Sequence, residues 1–258
     1  MKMPLDMIRV ASAQHFEDAR ADAPNISETT PPIITNEVRD FAASLAKGAP
    51  VYVPVIEDHH GLFGWCSDGV GSKIAADGGT FAYGWTIWEW PGVLLTAEFH
   101  AVWCDDAGNF FDITPKPGGE TRILFLHDPT FAQDFDFDNR PRNRRVRLHQ
   151  TADPAPAVAE ARAKLAGPKL AYEQKRAEKA GMTLDEHLKH KLPRDSLADA
   201  IDEVIKTCDG FEEYYDSLAR SGPVQPDQRL AALAQRRERA QSEMKKLLKK
   251  TQALAVTR

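Results

Sequence analysis

The sequence predicts an α+β protein: a short helix carrying Cys66 packed against an antiparallel sheet, then an all-helical C-terminal region. Three observations predict it. Between residues 80 and 114, aromatic and β-branched runs alternate with period two, punctuated by Pro91-Gly92 and by Asp105-Asp106-Ala107-Gly108. Beyond residue 150 the chain turns to Ala, Lys, Glu and Arg at helical spacing, and the charge changes with it. Residues 1–150 carry 13 Lys and Arg against 21 Asp and Glu, whereas residues 151–258 carry 20 against 17. All five tryptophans fall between Trp65 and Trp103, which assigns the aromatic core to the first part.

Residues 1–34 read as an irregular N-terminal segment, polar and containing T-T-P-P. Residues 36–46 put Val38, Phe41, Ala42 and Leu45 at helical spacing, with Gly48 as a stop. Residues 51–55 are a short β-rich run whose Pro54 marks an edge strand. The helix opened by Cys66 extends to residue 77 and ends at Gly78-Gly79. Strands follow over 80–90, 93–104, 109–114 and 122–126. The stretch D-F-D-F-D (134–138) alternates strictly and reads as an exposed edge strand or an extended arm. The arginine run 140–147 reads as a solvated exit from the domain, in preference to a phosphate-binding patch. The Cys-His-Asp domain is therefore 35–150 and the helical region 151–258.

In that region helices are expected over 158–165 and 169–180, and from Thr183, where T-L-D-E is a capping-box pattern. The next, 196–220, aligns Leu197, Ile201, Val204, Ile205, Cys208, Tyr215 and Leu218 on one stripe. The last runs from near Pro226 to about Leu254, with Arg237 and Thr251 interrupting its apolar repeat. That interruption favours packing back onto the other helices; association with a partner or a second copy is the alternative.

Composition excludes some classes. A net charge of −5 leaves no electrostatic footprint for nucleic acid. No stretch approaches the ~20 apolar residues of a membrane span, and M-K-M-P-L-D-M-I-R-V lacks the apolar run of a secretory signal. Three cysteines (Cys66, Cys104, Cys208) form no disulfide framework. A cytoplasmic protein is expected.

The candidate chemistry lies in G-W-C-S-D-G-V around Cys66, A-E-F-H-A-V-W around His100 and G-N-F-F-D-I-T-P around Asp112. A thiol of reference pKa ~8.5 is mostly protonated at neutral pH. It becomes a strong nucleophile beside an imidazole whose other nitrogen a carboxylate holds. At a helix N-terminus the free amides and dipole favour thiolate and offer donors to an oxyanion. His100 shares a strand face with Glu98, Val102 and Cys104, because side chains alternate. A three-residue loop ending in or followed by Gly108 would bring Asp112 to that face, opposite His100 or one diagonal step away. A two-residue loop would separate them.

Helix-borne Cys66, then His100 in H-A-V-W, then Asp112 in D-I-T-P resembles the transglutaminase-like branch of the papain-like cysteine enzymes, over about 65–115. The resemblance implies a papain-like core, with Cys66 as nucleophile, His100 as general base and Asp112 as its orienter. It implies a peptidase, deamidase or transglutaminase-like activity on a peptide or protein substrate, with no cofactor. The position six before the cysteine, commonly an oxyanion-donating Gln in that family, is His60 here, so His60 and Trp65 are the oxyanion or cleft candidates. Trp88 and Glu98 are the substrate-groove candidates. The segment also resembles an uncharacterised set of bacterial proteins, a likeness that carries no activity.

Plainer readings stand beside this one. Each of the three residues alone reads as structural, and Cys104 is a rival thiol. Glu57 to His60 with Glu98, His100 and Asp112 offers imidazole and carboxylate ligands for a metal, although no tight metal motif is present. Trp85, Trp88, Trp90 and Trp103 at strand period read first as core. The runner-up function is a non-catalytic ligand- or partner-binding module.

Overall fold

The computed structural model describes residues 3–23, 28–219 and 224–256. Within them the protein is α+β, with a six-stranded sheet of antiparallel pairs and eight α-helices. The strands are β1 (Val51–Pro54), β2 (Thr80–Trp90), β3 (Leu94–Cys104), β4 (Phe110–Phe111), β5 (Arg122–His127) and β6 (Arg144–Arg147). Their order is β1-β5-β2-β3-β4, and β6 pairs with the first half of β3. The long β2–β3 hairpin pairs throughout, from Thr80 with Cys104 to Trp90 with Leu94.

The two ends of this order meet. Asp112 N–H donates to Pro54 O (3.0 Å) and Ile56 N–H donates to Asp112 O (2.9 Å), a parallel bridge between Val55 and Asp112. The sheet thereby closes into a small barrel-like ring. β1 does stand at the end of the sheet, as Pro54 suggested, but closure buries the backbone just beyond it.

Alternation then sorts the side chains. Val53, Ala82, Val102, Ile123 and Phe125 cluster on one face. Tyr83, Trp85, Ile87, Leu95, Ala97, Phe99, Ala101, Leu124 and Leu126 cluster on the other. The second face is covered by α2 (Asn36–Leu45) through Val38, Phe41 and Ala42, and by α3 (Cys66–Asp77) through Cys66 and Val70. Ile87 and Leu95 have no exposed surface, and each such burial stabilises by about 1.5–3 kcal/mol. Trp85 is core, as expected, while Trp88, Trp90 and Trp103 are half-buried.

The C-terminal helices are α4 (Pro154–Ala163), α5 (Gly167–Lys179), α6 (Leu184–Lys191), α7 (Ser196–Ala219) and α8 (Gln228–Val256). α6 carries the expected capping box between Thr183 and Glu186. α7 and α8 pack against each other and return to the sheet: Leu197, Ile201, Val204, Cys208 and Met244 form one core with Val93 and Leu94 at the hairpin end. Arg220 and the Leu254 side chain, at the expected ends of these two helices, lie outside the described residues. No helix among the described residues is long and apolar enough to cross a membrane.

Several expectations need correction. The segment 1–34 is not irregular: Leu5–Asp22 is a helix, α1. It buries little beyond Ile8 and Ser12, so its apolar period is faint and its helix formers (Ala, Arg, Met, Gln, Glu) carry it instead. Residues 134–138 form no strand; Phe137–Asn139 is a 3₁₀ turn, and Phe131, Phe135 and Phe137 pack against Tyr83 and Phe99. The arginine run is no solvated linker. Its Arg144–Arg147 stretch is β6, and Arg145 binds Asp209 (2.8 Å) and Glu212 while Arg147 binds Asp202 (3.0 Å). The acidic side of α7 therefore holds this strand to β3. The strand expected over 109–114 keeps only Phe110–Phe111, because Asp112 leaves β3 to bridge Val55.

Candidate active site

Cys66 is the first residue of α3, preceded by Trp65 at the N-cap without a side-chain cap, and it is buried. Gly64 enters the turn with φ +82°, a left-handed conformation open to glycine. Gly69 inside α3 has a packing reason. A Cβ on Gly69 would lie 2.8 Å from His60 O, so only glycine lets the helix rest against the 60–62 backbone.

The β3–β4 turn has the three-residue loop that the site requires. Asp105 N–H donates to Asn109 O and Gly108 N–H donates to Asp105 O (both 3.0 Å), with Gly108 at φ +85°. The Asp105 carboxylate accepts from Ala107 and Asn109 N–H (3.0 and 2.7 Å). The register pairs Trp103 with Phe111 and Cys104 with Phe110. Asp112 therefore falls opposite Val102, with His100 its diagonal neighbour on the same face.

There His100 Nε2 lies 3.2 Å from Asp112 Oδ1, and both side chains are buried. Asp112 Oδ1 also accepts the Thr114 N–H (2.8 Å), which fixes the carboxylate against its own turn. Cys66 also interacts with the His100 imidazole. Burial opposes charge on the imidazole, but the charges of Asp112 and Cys66 override it and raise the His100 pKa to about 10. Burial likewise opposes ionisation of Asp112, yet His100 and Lys116 hold its carboxyl well below the usual range. Tyr83, on β2, is pushed up to about 12 by burial and by the neighbouring Cys66 and Asp134.

Lys116 is the residue sequence reasoning missed. Its Nζ lies 2.6 Å from Asp112 Oδ2, with only 8% of its side chain exposed, and sits 5.8 Å from the centre of the Trp88 ring. Both approaches to Asp112, from His100 Nε2 and from Lys116, are too bent to count as aligned hydrogen bonds, so charge joins the three groups. One signal was available: a lysine between two prolines, four residues past Asp112, and the first lysine or arginine after Lys73.

The other candidates fall in three places. Trp88 is half-buried and joins the site through Lys116, whereas Glu98 is exposed on the same strand face as His100. Trp65 stacks on His15 (5.2 Å between ring centres) and Phe63 meets Phe16 edge-on (6.0 Å), so α1 lies against the residues leading into Cys66. His60 is buried with both ring nitrogens unpartnered, and it groups with Asp58 and His59.

The metal reading does not assemble as a set. Among the described residues, the one grouping of three ligands with suitable spacing is Asp58, His59 and His60, within 4.8 Å, apart from His100 and Asp112. Asp58 already holds Lys73 (2.7 Å), which also binds Asp77 (2.6 Å). Cys104, the rival thiol, is half-buried and points its Sγ toward Asp105 O (3.7 Å). A surface groove of about 600 Å³ lies along α7 and α8 beside Arg142 and is lined by none of these residues.

Comparisons with protein families, curated proteins and solved structures found no match for this chain.

Proposed function

We propose that this chain is a cysteine-dependent acyl-transfer enzyme acting on an amide, with a papain-like arrangement of helix and barrel. One observation carries the reading: Cys66 at the start of α3 adjoins His100, whose Nε2 is 3.2 Å from Asp112. His100 takes the Cys66 proton, and the sulfur attacks the amide carbonyl. The oxyanion is met by the Cys66 backbone amide, one of the donors a helix start leaves free. Collapse breaks the C–N bond, His100 protonates the leaving amine, and a thioester remains. Water or an amine then attacks the thioester, gives its proton to His100 and releases Cys66. Asp112 holds the imidazole in one tautomer and stabilises its cation. Peptidase, deamidase and transglutaminase-like activities all share these steps. The three free cysteines agree with a reducing, cytoplasmic compartment.

The test is the pH dependence of iodoacetamide alkylation at each cysteine, read by mass spectrometry, in wild type and His100→Ala. Fast reaction of Cys66 alone below pH 7, lost with His100, is the expected result. An inert Cys66, or one that behaves alike in both proteins, favours a binding module instead. Burial of Cys66 and the α1 contact with Trp65 are the features that favour this second reading.

A further inference from the structure

A buried lysine beside a buried carboxylate calls for an explanation, because desolvating two such charges costs several kcal/mol each. Asp112 does not need Lys116 for neutrality alone. His100 already stands 3.2 Å from Oδ1, and Thr114 N–H satisfies that oxygen. Lys116 takes the other oxygen at 2.6 Å, with its Nζ 5.8 Å from the centre of the Trp88 ring and its backbone between Pro115 and Pro117. It thus divides the charge of one carboxylate between two cations.

We propose that Lys116 is a positioning residue of this site, acting through Asp112: it locks the carboxylate with Oδ1 toward His100 and offsets part of the charge that would otherwise hold the imidazolium proton. The proposal rests on the thiol-enzyme reading. Its use there is specific. His100 must accept a proton from Cys66 and later surrender it to the leaving amine, and an imidazolium facing an undivided buried carboxylate would be a poor acid. Among the described residues, the charged and titratable groups that act on the imidazole or its carboxylate are Asp112 beyond β4, Cys66 on α3 and Lys116. Tyr83 on β2 is coupled to Cys66, and Asp134 in the following loop is coupled to Tyr83. Of these, Lys116 is the one cation besides His100 itself.

The experiment is a ¹⁵N-histidine NMR titration of the full chain as wild type, Lys116→Gln and Lys116→Arg. Loss of the ammonium should tighten proton binding by His100 about tenfold, moving its midpoint up by about one pH unit. Lys116→Arg should keep the wild-type midpoint. An unchanged or lowered midpoint in a folded Lys116→Gln protein overturns the proposal, since a purely structural lysine would alter melting temperature and leave the midpoint in place. If Lys116→Gln does not fold, the wild-type chain decides. The ¹⁵Nζ shift of Lys116 should inflect at the His100 midpoint, and a flat response overturns the coupling. The two readings fail separately. Cys66 alkylation that ignores His100→Ala removes the thiol site. Alkylation that depends on His100, with a midpoint indifferent to Lys116, removes only the role given to the lysine.

Discussion

The barrel and the C-terminal helices each set a carboxylate between an imidazole and a lysine, but bury it to different depths. In the barrel, Asp112, His100 and Lys116 are withdrawn from water at the point where the sheet closes. In the helices, Glu173 is held by His187 (2.8 Å) and by Lys191, whose side chain is 46% exposed; pairs such as Arg162 with Asp185 stand in solvent with more than half of each side chain exposed, and the helix core (Ile201, Met244) is apolar. Arg145 lies between these extremes, 10% exposed, pairing β6 with α7. Exposed pairs cost little to keep and contribute little; buried charges are expensive and persist where they shift proton affinities. On the proposed function, the difference teaches where to look for chemistry: at the more deeply buried of the two groups, in the barrel.

The comparison can be broken or sharpened by substitution. The largest effect is expected at Cys66→Ala, which should remove acyl-transfer activity by a factor of about 10⁵ or more; an active Cys66→Ala protein would end the mechanism. Asp112→Asn should lower turnover by about a thousandfold, and chemical denaturation should show a loss of about 3–5 kcal/mol as His100 and Lys116 lose their shared anion. On the helical side, Ile201→Ala should cost about 2–5 kcal/mol by cavity formation. The folded fraction should nonetheless alkylate at Cys66 as wild type does. Altered thiol kinetics would show that the helices take part in the site. Smallest of all, Arg162→Ala should leave the melting temperature unchanged.

Stability against pH separates the regions too. The His100 pKa rises from 6.5 to about 10 on folding, so its contribution is complete below 6.5 and is lost as pH climbs toward 10. The Asp112 pKa is depressed, so its contribution holds above the ordinary carboxyl range and is lost only on strong acidification. Urea midpoints measured from pH 6 to 10 should fall in wild type and much less in His100→Ala. Equal slopes would sever the imidazole from the barrel's stability.

What the sequence determined by itself is local. The spacing of Val38, Phe41, Ala42 and Leu45 announces α2, Thr183 the start of α6, and the alternation of 80–104 predicts the hairpin. Gly108 marks the turn in the sequence, but the choice between a two- and a three-residue loop, and with it the shared face of His100 and Asp112, was settled by the folded register. These signals act within a few residues, by capping, pleat and turn geometry, so they can be read along the chain. Tertiary structure alone decided the rest. The bridge of Val55 to Asp112, the seating of His15 on Trp65, the capture of β6 by α7 and the entry of Lys116 beneath Trp88 join elements with no local period in common. Burial strengthens such contacts by removing water from between the charges, and burial is a property of the assembled barrel rather than of any segment of it.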